Sequence, residues 1–204
     1  MSVQRFLDKY LNKPRYEMSF LQENAEKPIK LSIFDDKVKV AFEDFSKLIK
    51  SKKYSVVGGI AVGKYTLPRS THDIDIIVPD EDELFEIKND LFEDFGGVNF
   101  NTIEHRKNGV KLEILTPEYI FTSGDLIKDS IKTSKNDDGV NVVDVRHLIA
   151  LKLGRAINKN SSKHLEDQAD IQKLIENNGI QDISDLGLDQ EKLDLYEKLV
   201  NKSI

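Results

Sequence analysis

Two aspartates, Asp73 and Asp75, stand one residue apart inside a run of β-branched residues, DIDIIV, that is typical of a β-strand. Side chains alternate between the two faces of a strand, so both carboxylates project to one face while Ile74 and Ile76 project to the other. The two carboxylates lie about 7 Å apart along the strand, because each residue adds about 3.3 Å. Like charges at this spacing repel each other, and a divalent cation with oxygen ligands is the usual way to hold them.

A glycine pair, Gly58 and Gly59, precedes the aspartates and follows a short apolar segment at residues 54–57. Glycine leaves its backbone uncovered, and the first amide groups of a helix have no partner within that helix. A helix that starts at such a pair is therefore a natural binding site for phosphate. A basic, hydroxyl-bearing bend then leads into the acidic strand: Pro68, Arg69, Ser70 and Thr71. Together these features suggest a site for a metal ion and a triphosphate.

The composition is that of a globular protein with a polar surface. Of the 204 residues, 39% are hydrophobic and 32% are charged. No apolar run approaches the roughly 18 residues that indicate a membrane-spanning helix, the N-terminus has no signal-peptide core, and the chain has no cysteine. The net charge of −6 argues against broad, non-specific binding to nucleic acid. We expect a cytoplasmic protein with no membrane partner.

Several common enzyme motifs are missing from the sequence. There is no GxxxxGK[ST] loop, no GxGxxG fingerprint, no GxSxG elbow and no cysteine nucleophile. Their absence argues against a Walker-type nucleotide site and against dehydrogenase and hydrolase functions.

Hydrophobic periodicity and turn signals predict an α/β (α+β) protein. The predicted strands cover residues 54–57, 73–78, 98–103, 110–115 and 140–143, and the strands at 98–103 and 110–115 form a hairpin. The predicted helices cover residues 36–51, 60–65, 80–92, 145–158, 163–176 and 190–201. The helix at 80–92 is expected to bury Leu84, Phe85, Ile87, Leu91 and Phe92. Gly96 and Gly97 are predicted to break the chain.

The polar segment SKNDDG, at residues 134–139, is predicted to be an exposed loop and a domain boundary. We therefore predict an N-terminal arm at residues 1–34 and a core at 35–139. Residues 140–204 are predicted to form a small C-terminal helical region that packs on the core.

A third acid, Glu113, lies in the predicted strand KLEIL, where Leu112 and Ile114 occupy the opposite face. Taken alone, Glu113 is explained by a solvated hairpin face. Beside an Asp-x-Asp strand, however, it completes a set of three carboxylates that can hold two magnesium ions.

Lys152 falls within the apolar stripe of the helix predicted at 145–158. A lysine on a core-facing stripe needs an anionic partner or a functional role, unless its ammonium group snorkels to the edge. The next predicted helix carries Asp167 on its inward face and Asp170 at the border of that face. We expect either a buried ion pair between the two helices or charged side chains that face a common cleft.

These motifs, in this order, resemble the nucleotidyltransferase superfamily, whose fold is related to that of DNA polymerase β. Its signature is an apolar strand, a glycine pair, a short helix and an Asp-x-Asp strand, with a third acid on a later strand. The segment GGIAVGKYTLPRSTHDIDI (58–76) is similar to the bacterial AbiEii-type branch, which includes toxins of toxin–antitoxin pairs. LIALKL (148–153) and DQADI (167–171) are similar to later motifs of that branch.

The resemblance implies a mixed nucleotidyltransferase-type sheet flanked by helices. It also implies magnesium-dependent transfer of a nucleoside monophosphate from an NTP to an acceptor hydroxyl, with release of pyrophosphate. The catalytic residues that it implies are Asp73, Asp75, Glu113, Lys152 and Asp167, of which Asp73, Asp75 and Glu113 bind two Mg²⁺ ions. The nucleotide-binding residues that it implies are Gly58, Gly59, Arg69, Thr71, Lys152 and Asp170.

The resemblance leaves the acceptor open among the 3′ end of a tRNA, a protein side chain and a small molecule. A toxin with a cognate antitoxin is one form of this hypothesis. A second hypothesis is a catalytically degenerate, nucleotidyltransferase-like binding protein or antitoxin-type partner, against which the presence of all three acids argues. A third is a nucleic-acid-binding module without catalysis, which the negative net charge disfavours.

Overall fold

The computed structural model describes residues 35–50, 53–67, 70–120, 122–137 and 139–202. Within these ranges, seven strands form one mixed sheet that is flanked by helices, and the chain ends in a helical region. The predicted α/β class and its mixed, helix-flanked sheet are confirmed. The predicted N-terminal arm, residues 1–34, lies outside the described residues.

The acidic strand lies at the centre of the sheet. The strands are β1 (Ser55–Val56), β2 (Asp73–Ile77), β3 (Phe95–Gly97), β4 (Thr102–His105), β5 (Lys111–Leu115), β6 (Lys135–Asp137) and β7 (Val140–Val142). Their order across the sheet is β3-β4-β5-β2-β1-β7-β6. The β2–β5 and β1–β7 pairs are parallel and the other neighbours are antiparallel. Ile74 and Ile76 of β2 are fully buried, on the face opposite to the aspartates.

Side-chain caps mark the starts of several helices. The helices are α1 (Asp36–Leu48), α2 (Gly58–Tyr65), α3 (Glu81–Asp90), α4 (Gly124–Lys132), α5 (Val145–Ala156), α6 (His164–Asn178) and α7 (Gln190–Lys202). Asp35 accepts a hydrogen bond of 2.8 Å from the backbone amide of Lys37 at the start of α1. Asp144 accepts one of 2.9 Å from the amide of Arg146 at the start of α5. Such caps satisfy amides that the helix itself leaves unpaired.

Helix α3 is shorter than predicted, and two of its predicted core residues are exposed. The helix ends at Asp90, and Phe92 beyond it is 69% exposed, with the guanidinium of Arg106 lying 5.6 Å from the centre of its ring. Phe85 is 48% exposed on the outer face of the helix, where its ring packs edge-on against Phe100 at 5.6 Å. Surface contacts with an aromatic ring and with a guanidinium group thus replace the predicted burial.

The predicted break at Gly96 and Gly97 is wrong, because both glycines belong to strand β3. They pair with Glu104 and Ile103 of β4. The strand predicted to begin at residue 98 starts later, since the chain first turns and the Val98 amide donates to the Thr102 carbonyl at 3.0 Å. The predicted hairpin between the next two strands is confirmed as the antiparallel β4–β5 pair.

The predicted exposed loop at residues 134–139 is wrong in its conformation, because residues 135–137 form a strand, although positions 135, 136 and 139 are exposed as expected. Strands β6 and β7 form an antiparallel hairpin there, and β7 continues the sheet beside β1. Asp137 of β6 forms an ion pair with Lys64 of α2, and both side chains are largely buried. Acidic and amide residues made this segment resemble a loop, although hairpin pairing with β7 and the ion pair with Lys64 hold it in the sheet. The domain boundary predicted at residue 139 falls between these two strands and stays a prediction.

Helices α5 and α6 pack side by side and form one wall of the region above β2. Gly179, with φ of 63°, ends α6 in the left-handed conformation that glycine adopts easily. Helix α7 packs on both α5 and α6. None of the helices in the described part of the chain has the length and apolar character that a bilayer crossing requires.

Candidate functional site

Two adjacent parallel strands carry the three acids. Asp75 of β2 lies opposite Glu113 of β5, and Asp73 lies opposite Lys111. Adjacent strands are about 4.8 Å apart, so the paired side chains of Asp75 and Glu113 project from the same face of the sheet. All three acids are partly buried. The sheet register thus brings together three residues that are separated by up to 40 positions in the sequence.

Gly58 brings the start of α2 against the acidic strand. Its φ is 61°, and a Cβ atom on this residue would lie 1.7 Å from Oδ2 of Asp75. No side chain can be accommodated at that distance, so the position requires glycine. The amide of Val57 donates a hydrogen bond of 2.9 Å to the carbonyl of Asp75 and fixes this approach. The unpaired amides at the start of α2 therefore lie beside the Asp75 carboxylate.

Thr71 holds the first aspartate of the strand. Its Oγ1 lies 3.2 Å from Oδ1 of Asp73 and 3.4 Å from the Asp73 carbonyl oxygen, and it can donate its single hydrogen to either. Thr71 is 5% exposed. Arg69, which we predicted to bind phosphate, lies outside the described residues.

The electrostatics of the acids centre on Asp75. Burial raises the pKa of Asp75 from 3.8 to about 6, and the negative charges of Asp73 and Glu113 act in the same direction. The positive charges of Lys163 and Arg155 oppose this shift without cancelling it. The local field therefore favours an additional positive charge at this point of the cleft.

Lys152 of α5 lies between two acids of α6. Its ammonium donates to Oδ1 of Asp167 at 2.7 Å and to Oδ2 of Asp170 at 2.9 Å. All three side chains are buried, with 4%, 1% and 2% of their surfaces exposed. The two helices are thus joined by a buried ion pair, as one of our two expectations stated, and both acids take part.

Arg155, one helical turn after Lys152, shares Asp167. Its Nη2 donates to Oδ1 at 3.1 Å, and its Nε lies 2.9 Å from Oδ2. The angle of the Nε contact is too bent for a hydrogen bond, so Oδ2 has no hydrogen-bond donor among the described residues. A buried acceptor left in this state can receive a bond from a ligand or a water molecule.

One cleft, with about 640 Å³ of empty space including its mouth, collects most of these groups. The predicted site residues on its wall are Gly58, Gly59, Thr71, Asp73, Asp75, Lys152 and Asp167. Asp170 and Glu113 do not form part of the wall. Asp170 contacts Lys152, and Glu113 pairs with Asp75 on the next strand.

The cleft also contains charged residues for which the sequence predicted no role. Arg155, Lys163 and Glu166 line its wall together with Asp167. Lys163 and Asp167 are four residues apart, a spacing that places side chains on one face of a helix. That spacing was the available signal, but Lys163 stands at the start of a predicted helix, where a solvated lysine is equally typical.

A narrow apolar pocket opens beside the charged cleft. It shares four residues with the cleft: Gly58, Asp75, Lys152 and Arg155. Its remaining wall is apolar and consists of Val57, Ile77, Leu115, Ile120, Leu148 and Leu151. A ligand with one anionic part and one apolar part matches this pair of cavities.

The donor set of the cleft acids suits a hard cation, because Mg²⁺ prefers carboxylate oxygens and keeps several of its own waters. Among the described residues, the one group of three ligating side chains whose atoms all lie within 4.8 Å of one another is Asp44, Asp94 and His105, which is not in the cleft. The carboxylates of the cleft are more widely spaced, which leaves room for water ligands.

No known family model matches this chain, and no curated protein matches it.

Proposed function

We propose that the protein is a magnesium-dependent nucleotidyltransferase of the superfamily that its motifs resemble. It moves a nucleoside monophosphate from an NTP to an acceptor hydroxyl and releases pyrophosphate. The observation that carries this proposal is the contact between Gly58 and Asp75, which brings phosphate-binding amides and metal-binding carboxylates to one point.

In this proposal, Asp73, Asp75 and Glu113 hold Mg²⁺, since they offer oxygen donors. Burial and the charges of the other two acids make the ionised Asp75 carboxylate unfavourable without a neighbouring cation. The bound ions supply charge neutralisation at the triphosphate and lower the pKa of the acceptor hydroxyl. Thr71 keeps the Asp73 carboxylate in place through its hydrogen bond.

The backbone amides of Gly58 and Gly59 bind the β- and γ-phosphates at the start of α2. Arg155, whose side chain is 37% exposed, and Lys163 face the same cleft and add positive charge along the phosphate chain. Arg69 has the same predicted role. The apolar pocket beside Asp75 accommodates an apolar part of the nucleotide or of the acceptor.

The acceptor oxygen forms a bond to the α-phosphorus, the bond between the α-phosphorus and the bridging oxygen breaks, and pyrophosphate leaves. The proton of the acceptor hydroxyl passes to the Glu113 carboxylate. Asp167 and Asp170 orient Lys152, so its ammonium keeps a fixed position at the wall of the cleft near the transferred group.

The proposed acceptor is a tRNA 3′ end, a protein side chain or a small molecule. With any of these acceptors, the protein could act as the toxin of a toxin–antitoxin pair. A cytoplasmic location agrees with the supply of NTP and Mg²⁺ that this reaction needs. The alternative is a catalytically degenerate protein of the same fold that binds a partner.

The test is transfer of label from each α-³²P-labelled NTP, with Mg²⁺, into separated RNA, protein and small-molecule fractions of a cell extract. We expect label from at least one NTP in one fraction, and Asp75→Asn is expected to lower the rate at least 100-fold. Asp82→Asn, an exposed acid of α3, is the matched control and should behave as wild type.

Calorimetry separates the two functions. Magnesium-dependent NTP binding with transfer supports the enzyme, whereas the absence of both in the folded wild-type protein supports the degenerate binding protein. Binding without transfer into any fraction would contradict the proposed reaction with acceptors in that extract.

A further inference from the structure

A second cluster of ligating side chains lies where helix α1 meets strands β3 and β4, at one edge of the sheet. Asp44 comes from α1, Asp94 from the turn before β3, and His105 from the end of β4. Their ligand atoms all lie within 4.8 Å of one another. None of the three lines the cleft that contains Asp73 and Asp75.

Hydrogen bonds to Asn108 assign the tautomer of the neutral His105 ring. The Asn108 amide group donates to the carbonyl of Lys37 at 2.8 Å, and Asn108 Oδ1 accepts from the amide of Val110 at 3.2 Å. These two bonds fix the orientation of the Asn108 side chain. Its Oδ1 lies 2.9 Å from Nδ1 of His105, so Nδ1 carries the hydrogen and donates it.

The other ring nitrogen, Nε2, consequently presents a lone pair when the ring is neutral. It points at Oδ2 of Asp44, 3.3 Å away, which is also an acceptor. His105 is fully buried, so no bulk water relieves this contact. A cation close to both atoms makes the arrangement favourable.

The geometry matches a transition-metal ion. In a tetrahedral zinc site with bonds of 2.0 to 2.1 Å, two ligand atoms are separated by about 3.4 Å. The separation of Nε2 and Oδ2 is 3.3 Å. The hydrogen bond from Nδ1 to Asn108 is the outer contact that orients a metal-ligating histidine and fixes its tautomer.

The cluster already attracts a cation. The ammonium of Lys107 lies 2.8 Å from Oδ2 of Asp44 and 3.1 Å from Oδ1 of Asp94, between the two carboxylates. The Lys107 side chain is 59% exposed, so it can swing into solvent at little cost. Lys107 therefore marks the position of a positive charge and competes with any metal for it.

We propose that Asp44, Asp94 and His105 bind one transition-metal dication, represented by Zn²⁺, with water as a further ligand. The imidazole favours Zn²⁺ over Mg²⁺, which prefers oxygen ligands. The site joins α1 to the β3–β4 edge of the sheet, so the bound metal ties that helix to the sheet. Lys107 occupies the site when the metal is absent.

The test is competition for Zn²⁺ between the full-length protein and a chromophoric chelator, with millimolar Mg²⁺ present. We expect one equivalent of tightly bound Zn²⁺ in the wild-type protein and in Asp75→Asn, which removes an acid from the cleft. Asp94→Asn is expected to weaken binding at least 10-fold. Lys107→Met removes the competing ammonium and is expected to tighten binding about 3-fold or more.

Asp90→Asn, an acid outside the cluster, is the matched control, and circular dichroism verifies the fold of each variant. In ¹⁵N spectra, Zn²⁺ should shift the His105 Nε2 resonance while Nδ1 keeps its hydrogen. Three outcomes overturn the proposal: no Zn²⁺ bound by the wild-type protein, unchanged binding in Asp94→Asn, or loss of the tight site in Asp75→Asn. Titration of Nε2 by protons alone, with no response to Zn²⁺, overturns it equally.

Discussion

The Asp75 carboxylate fills the space in which a side chain on Gly58 would have to lie, since Oδ2 would be 1.7 Å from its Cβ. The helix that offers amides to an anion and the strand that offers carboxylates to a cation are therefore in direct contact. The proposed binding of a metal-bound polyphosphate rests on this contact rather than on either motif alone.

Gly58→Ala is predicted to displace the Asp75 carboxylate and to lower nucleotidyl transfer at least 100-fold, because the new methyl group overlaps Oδ2. Gly187→Ala is the matched control, since Gly187 has a similar φ of 65° but no atom within 4 Å of a built Cβ. We expect Gly187→Ala to cost about 1 kcal/mol of unfolding free energy through backbone strain and to keep its activity. Activity assays and urea unfolding measure both effects, and equal activities in the two variants would contradict this role of Gly58.

Asp75→Asn is predicted to stabilise the metal-free protein at neutral and alkaline pH. The folded-state pKa of about 6 is higher than the ordinary value of 3.8, so the wild-type protein loses stability as the pH rises through about 6. The variant avoids this loss, and we expect a gain of roughly 1 to 3 kcal/mol at pH 8 that disappears near pH 4. Urea unfolding in the presence of EDTA measures the difference. Asp82→Asn should show no such trend, and a variant less stable than wild type at pH 8 would refute the prediction.

Lys152→Met is predicted to destabilise the protein by about 3 to 5 kcal/mol, because Asp167 and Asp170 then remain buried without their cation. Adding Asp170→Asn to this variant should restore part of the loss by removing one of the unpaired charges. Lys50→Met is the matched control, since Lys50 pairs with Asp90 at the surface with 83% of its side chain exposed. We expect that change to cost less than about 1 kcal/mol. Chemical unfolding of all three variants gives the comparison, and similar losses for Lys152→Met and Lys50→Met would rule out a buried pair.

His147→Gln is predicted to remove a pH-dependent part of the stability. Burial by itself lowers the pKa of His147, but hydrogen bonds and charges from Asp144 and Asp129 outweigh it and raise the pKa above 6.5. The stabilisation is thus complete below pH 6.5 and is lost as the pH rises through the raised folded-state value. Urea unfolding between pH 6 and 9 should show a decline in wild type that is smaller in the variant. The exposed His72, changed to Gln, is the control, and parallel curves for wild type and His147→Gln would argue against this ion pair.

Local sequence patterns were sufficient to predict much of the fold. Alternation in DIDII and KLEIL identified the two central strands and the faces of their acids, because side-chain direction in a strand depends only on position. The inward position of Lys152 was equally visible. The exposure of Phe85 and the strand at Gly96 were missed, since they depend on contacts with other elements, the Phe100 ring and strand β4.

The candidate site shows the same division. The sequence by itself determined which residues carry charge on the inner faces of strands and helices: Asp73, Asp75, Glu113, Lys152 and Asp167. Only the tertiary structure decided that Asp75 lies opposite Glu113 and against Gly58, and that Lys152 binds both acids of α6. It also brought Asp44 to His105, which lies 61 residues away in the chain. The physical reason is that periodicity is a property of a few consecutive residues, whereas the meeting of two faces depends on strand register and helix packing across the whole core.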